Sequence, residues 1–385
     1  MRAFVFTDKA LARRAGQFVW LSIDTEKQGN APFLTKFPVE AWPSFYVLDP
    51  RTEKVALRWV GGATVRQVEK ILDDGRQGVR GGEKGVEEIL ARADRFYGEG
   101  RNADAAREYR DALSRAPENW AAYGRAVESL LFALLSTRDG KGCAETAREA
   151  FPRLRRTSSA ANVAGTGLDC ALGLKPEDPA RSALVAALAS DSREVVSARR
   201  PDIAADDVSS VYEALAAERE AAGDKEGRKK VLSERAAFLE GEAARAKNPE
   251  ARAVFDSHRL GTYIALGEPA RAIPMLEASE RDLPGDYNPP ARLAAAYKAL
   301  KRYDEALAAS DRALAKGYGP RKIGILQARA DIYAARGDAQ AARKTMEETV
   351  QYAESLPAGQ RSDRTIAALK KKLEAMKSAA GQPGA

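Results

Sequence analysis

A chain of 385 residues, with 44% hydrophobic and 30% charged side chains, has room for two or three cored units at roughly 100–200 residues each. It contains no apolar run near the ~20 residues of a membrane span. The net charge of +7 sits at the two ends: 13 Lys/Arg against 9 Asp/Glu in residues 1–80, 6 against 2 in 358–385, and 43 against 44 between them. The basic excess lies in no motif that reads bases, so nucleic acid is not an expected partner. Two cysteines, Cys143 and Cys170, and one histidine, His258, cannot build a four-ligand Cys/His zinc site. They offer no close Cys–His pair for nucleophilic catalysis either. No catalytic residue, metal ligand or cofactor is assigned.

In chain order, "TDKALARRAG" has a capping threonine, good helix formers and a closing Gly16, and is expected to be helical. "FVWLSID" (18–24) is a near-continuous run of β-formers and is expected to be a buried, parallel strand. "NAPFLTKF" is a short helical candidate. "SFYVLD" and "VALRWVG", joined by "PRTEK", are spaced as a hairpin. "TVRQVEKILDDG" is an amphipathic helix with Thr64 as its cap. Pro43 opens the first hairpin strand, where a proline that cannot donate to a ladder is tolerated. Its bond to Trp42 is either trans at an edge strand or cis in a tight turn.

The order helix, strand, helix, proline, strand, strand, glycine, helix resembles the C-terminal part of a thioredoxin-like domain. The segments "VWLSIDTEK", "FPVEAWPSFYVLDP" and "GGATVRQVEKIL" carry the resemblance over about residues 1–75. It implies a partial α/β domain at 1–78, with Trp42-Pro43 as the cis-proline dipeptide that contacts substrate peptides. The family's Cys-x-x-Cys is absent from this chain, and Met1 would fall just inside the helix that follows it. The strand leading into that motif would then be missing from the middle of the sheet, leaving costly unpaired edges. Three explanations are open: a true start farther upstream, a fragment, or a degenerate remnant that packs differently. As written, the start carries no secretory signal, which reads as cytoplasmic; an upstream signal peptide would place the protein in the cell envelope or periplasm.

From Gly85 onward strand signals vanish and alanine dominates. Ala93, Phe96, Gly100, Ala105, Tyr109, Ala112 and Pro117 have the spacing of a tetratricopeptide repeat, about residues 86–119. Tyr263, Gly267, Ala272 and Pro284 repeat the frame, then Ala294, Tyr297, Tyr303, Ala306 and Ala313, then Ala330, Tyr333, Gly337 and Ala342. A weaker copy surrounds Tyr212–Leu232. The resemblance to the tetratricopeptide family implies an all-α solenoid: one clear repeat and divergent hairpins over 85–210, repeats over 211–357, and a basic tail, helical or disordered, over 358–385. Small residues let paired helices approach, and larger ones fill the gap to the next pair.

"CAETAREAF" and "ANVAGTGLDCAL" look like two helices of a hairpin centred near residue 156, which sets Cys143 and Cys170 roughly opposite each other. They are either two small buried residues or a disulfide. His258, Trp120, Tyr123 and Tyr263 are expected in helix packing. The expected function is a protein–protein interaction scaffold that takes protein or peptide clients on the concave face of the repeats. The thioredoxin-like resemblance implies a tie to thiol–disulfide chemistry in the full-length gene product. The alternative is an active oxidoreductase whose Cys-x-x-Cys lies upstream.

Overall fold

The computed structural model describes residues 4–39, 41–81 and 84–380. Met1–Ala3 at the start of the expected thioredoxin-like part and the last five residues of the basic tail lie outside them. In chain order the elements are α1 (Lys9–Ala12), α2 (Ala31–Lys36), β1 (Ser44–Leu48), β2 (Val55–Val60), α3 (Val65–Arg80), α4 (Val86–Gly98), α5 (Asn102–Arg115), α6 (Tyr123–Ser136), α7 (Gly140–Leu154) and α8 (Ala160–Leu172). They continue with α9 (Arg181–Ala198), α10 (Ala205–Ala221), α11 (Lys225–Ala244), α12 (Pro249–Ala253), α13 (Asp256–Ala265), α14 (Ala272–Asp282) and α15 (Asn288–Ala299). The last are α16 (Tyr303–Lys316), α17 (Gly319–Arg336), α18 (Ala339–Ser355) and α19 (Asp363–Ala380). No helix among the described residues is long and apolar enough to cross a membrane.

The chain divides into two compact units. The first comprises Met1–Gln17 and Ala41–Leu239, the second Phe18–Glu40 and Glu240–Ala385. In the first unit, β1 and β2 form an antiparallel hairpin with Ser44 opposite Val60 and Val47 opposite Leu57. This hairpin is the entire sheet among the described residues. The thioredoxin-like α/β fold is therefore not confirmed. The expected strand at 18–24 is corrected outright: it is extended chain outside any sheet, and it belongs to the other unit. Val19 is 87% exposed and Leu21 70%. A run of β-formers becomes a strand only where a second strand lies beside it, and the one sheet among the described residues is the β1–β2 hairpin.

Without further strands, the hairpin finds its cover in helices. α3 packs on both strands and α4 on β2, so Ala56, Leu57, Trp59 and Val60 are buried. α3 starts at a capping box, in which Thr64 Oγ1 accepts from Gln67 N and the Gln67 side chain accepts from Thr64 N. It runs through Gly75 to Arg80, past the stop expected there. α1 is capped by Asp8, whose Oδ1 accepts from Ala10 N, and not by Thr7.

Helix hairpins then follow one another. α4 packs on α5, α7 on α8, α15 on α16 and α17 on α18, each pair joined by a short turn. Most of the alanine repeat positions read from the sequence, and three of the tyrosines, are core positions, whereas Gly100, Pro117, Gly267, Pro284 and Gly337 at the breaks are exposed. Ala93, Ala105, Tyr109, Ala112, Ala272, Ala306, Ala313 and Ala330 are fully buried, and Tyr263 and Ala294 nearly so. Each unit is thus built mainly of packed helix hairpins, and the first also carries the small β-hairpin. The tail is not a solvated end. Leu369 and Leu373 of α19 are buried with Ile323, Ala330 and Met346.

A buried ionic network ties the hairpin's helix to the first repeat. Arg125 of α6 donates from both terminal nitrogens to Asp94 of α4, at 2.9 and 3.0 Å, and from Nε to Asp74 of α3 at 2.8 Å. Tyr109 Oη of α5 donates to Asp94 at 2.7 Å. Burial opposes the Arg125 charge, but the two carboxylates outweigh it and hold its pKa above the usual arginine range.

Candidate functional site: a seat for a peptide segment

The second unit holds a segment far from it in sequence. Residues 24–36 lie against the start of α17, the end of α18 and the turn into α19. Tyr318 Oη donates to Asp24 Oδ2 at 2.7 Å. That bond, with some burial, pushes the tyrosine pKa up to about 12. Arg321 N, in the first turn of α17, donates to Glu26 Oε2 at 2.7 Å, and the Arg321 guanidinium stands 3.6 Å from Glu26 Oε1. A carboxylate at the N-terminus of an 18-residue helix gains both free amide donors and the helix dipole. Gln360 Nε2 donates to the carbonyl of Thr25 at 2.8 Å.

Two glycines let the segment's backbone in. A Cβ on Gly319 would collide with the carbonyl oxygen of Glu26, and one on Gly359 with the carbonyl oxygen of Ala31. Gly319 also has φ +56°, a conformation that glycine adopts without strain. Tyr352 Oη donates to the carbonyl of Gly319 at 3.2 Å, fixing the turn that receives Glu26. After the acidic turn the segment forms α2. Ala31, Leu34 and Phe37 are buried at a spacing of three, along one side of the short helix. The arrangement holds two carboxylates and a backbone. No group of three or more His, Cys, Asp or Glu able to hold a metal ion occurs among the described residues.

The residues singled out in the sequence lie elsewhere. Trp42-Pro43 is cis, and Trp42 is 59% exposed. The Pro43 carbonyl accepts from Gly61 N at 2.9 Å, one step beyond β1. Cys143 and Cys170 face each other from α7 and α8 and are joined as a disulfide, with Cα atoms 6.1 Å apart. Both are buried. His258 lies half-buried on α13. The structure therefore brings no cysteine into the β-hairpin. The sequence signals for the seat are slight: the acidic residues of "DTEK", and the Gly/Pro breaks in "KGYGPRK" and "LPAGQ" that form its walls.

No family model and no curated protein sequence matches the chain. Among solved structures it is similar to a tetratricopeptide repeat protein from Parabacteroides merdae, at 11% identity and TM-score 0.46, over 75% of this chain and 98% of that one. It is similar to a thermophilic tetratricopeptide protein of Thermus thermophilus at 15% identity and TM-score 0.29, over 76% and 100%. A third is the TPR2AB domain of yeast Sti1, solved in complex with pHSP90, at 15% identity and TM-score 0.28, over 75% and 98%. The architecture described above stands on the chain's own helices, not on these likenesses.

Proposed function

We propose that this chain is a protein–protein interaction scaffold: a helical-hairpin array that works by holding segments of other proteins. The observation that carries this reading is the seat, where the backbone and two carboxylates of one segment are taken up by the start of α17 and the turn between α18 and α19. A surface that binds one such segment has the chemistry to bind others. The concave face, made by the first helix of each hairpin, belongs to the same reading as the place for longer clients. A thiol–disulfide role finds no residue in this chain to rest on, because its only two cysteines are joined in the α7–α8 hairpin. A Cys-x-x-Cys upstream would leave the reading of the repeats unchanged.

The test is a selection of displayed peptides on the full-length protein, followed by photo-crosslinking of the enriched peptides and mass-spectrometric mapping. Enriched peptides should bind at micromolar Kd and crosslink to first-helix faces or to the seat. Selection that enriches nothing above an unrelated helical protein would remove the scaffold reading.

A further inference from the structure

Within that scaffold reading, we infer that the seat is a recognition site for an acidic segment of a partner protein. The recognised pattern is Asp-x-Glu followed by a short helix with an apolar stripe, and residues 24–36 of the chain are its in-built competitor.

The chemistry of the seat defines the partner. Tyr318 and Arg321 each meet one carboxylate, two residues apart in sequence. Gln360 reads the backbone between them. Gly319 and Gly359 leave room for a backbone that runs close along the wall. The helix that follows must present a small residue and then an apolar one three positions on, as Ala31 and Leu34 do. A basic segment would place like charge against Arg321 and meet no acceptor at the amides of the α17 N-terminus.

The occupant is solvated over Lys27, Gln28 and Gly29, whereas the Glu26 side chain is 13% exposed and Ala31, Leu34 and Phe37 are buried. Tyr318 is exposed, and the Arg321 side chain is half-exposed. Such contacts are individually weak. To these contacts the tether adds an effective concentration on the order of 1 mM. A partner peptide must compete with that concentration, so the unmodified protein binds it weakly and any change that releases residues 24–36 exposes the site.

The experiment uses the full chain and a fluorescein-labelled synthetic peptide that copies residues 18–40, read by fluorescence anisotropy. Three proteins are compared. The wild type should bind the peptide weakly. A variant carrying Asp24→Ala, Glu26→Ala and Leu34→Ala together should bind it at least tenfold more tightly, because its own segment no longer fills the seat. Adding Gly359→Val to that variant should abolish the gain. Tyr318→Phe with Gln360→Ala, a milder change at the same wall, should reduce it about tenfold. Circular dichroism checks that each variant is folded, and the milder pair keeps the test decisive if Gly359→Val does not fold. Equal affinity for wild type and released variant, or affinity unchanged by both wall variants, would overturn the inference. It would leave the wider scaffold reading standing if displayed peptides still crosslink elsewhere on the array.

Discussion

At the scale of single residues, the buried carboxylates govern how stability responds to pH. Glu128 of α6 is almost fully buried, and its carboxylate accepts from Asn162 Nδ2 at 2.8 Å. Burial pushes its pKa up to about 7, against the opposing pull of Ser159 and Asn162. Asp207 stands on the far side of Asn162, whose amide lies 3.4 Å from Asp207 Oδ2. In the unfolded chain Glu128 would titrate at about 4.3. A folded-state pKa above the unfolded one gives a contribution that is fully present below about pH 4 and is lost as pH rises through 7. Asp169 and Asp191, each raised to about 6 chiefly by burial, act in the same direction. Glu128→Gln should therefore remove part of the destabilisation at pH 8, by about 4 kcal/mol at most. It should change little at pH 4.5. Urea unfolding of both proteins across that range checks it; parallel pH profiles would contradict the assignment.

At the scale of elements, the α7–α8 hairpin is the most constrained piece of the array. A Cβ on Gly167 of α8 would collide with Ala147 of α7, so the two helices lie as close as glycine allows. The disulfide closes a loop over a sequence separation of 27. In the chain-entropy account a loop of that size is worth about 3–4 kcal/mol at 25 °C. Dithiothreitol should lower the urea midpoint accordingly, and non-reducing peptide maps should show the 143–170 crosslinked pair. Two titratable thiols in the unfolded, unreduced protein would refute the pairing. The hairpins were legible in the sequence because their signals are local. Helical periodicity, alanines at closest approach and Gly or Pro at the breaks all lie within some 34 residues of one another, as the step from Tyr263 to Tyr297 shows. The run 18–24 was misread for the complementary reason. β-formers state a preference, but a strand needs a second strand, and composition cannot say whether one is present.

At the scale of the whole molecule, each hairpin can bury only the face its neighbour covers, so the last one needs a lid. α19 is that lid for α17 and α18, with Leu369 buried among Ile323, Ala330 and Met346. Leu369→Ala should cost about 2–5 kcal/mol, the range for a core leucine. A loss within the error of urea unfolding would return α19 to the solvated tail that its lysines suggested. The seat was hidden from sequence reading at this scale too, since Asp24 and Tyr318 are 294 positions apart and nothing local links them.

That separation has a consequence for synthesis. Residues 24–36 leave the ribosome early, whereas Tyr318, Gly319 and Arg321 are added 294 residues later. At about 5–20 residues per second this is a delay on the order of 15–60 s. For that interval the carboxylates of Asp24 and Glu26 lack the Tyr318 hydroxyl and the Arg321 amide that meet them in the finished protein. The nascent chain thus carries an acidic segment, open to whatever meets it first, until its own far end arrives to meet it.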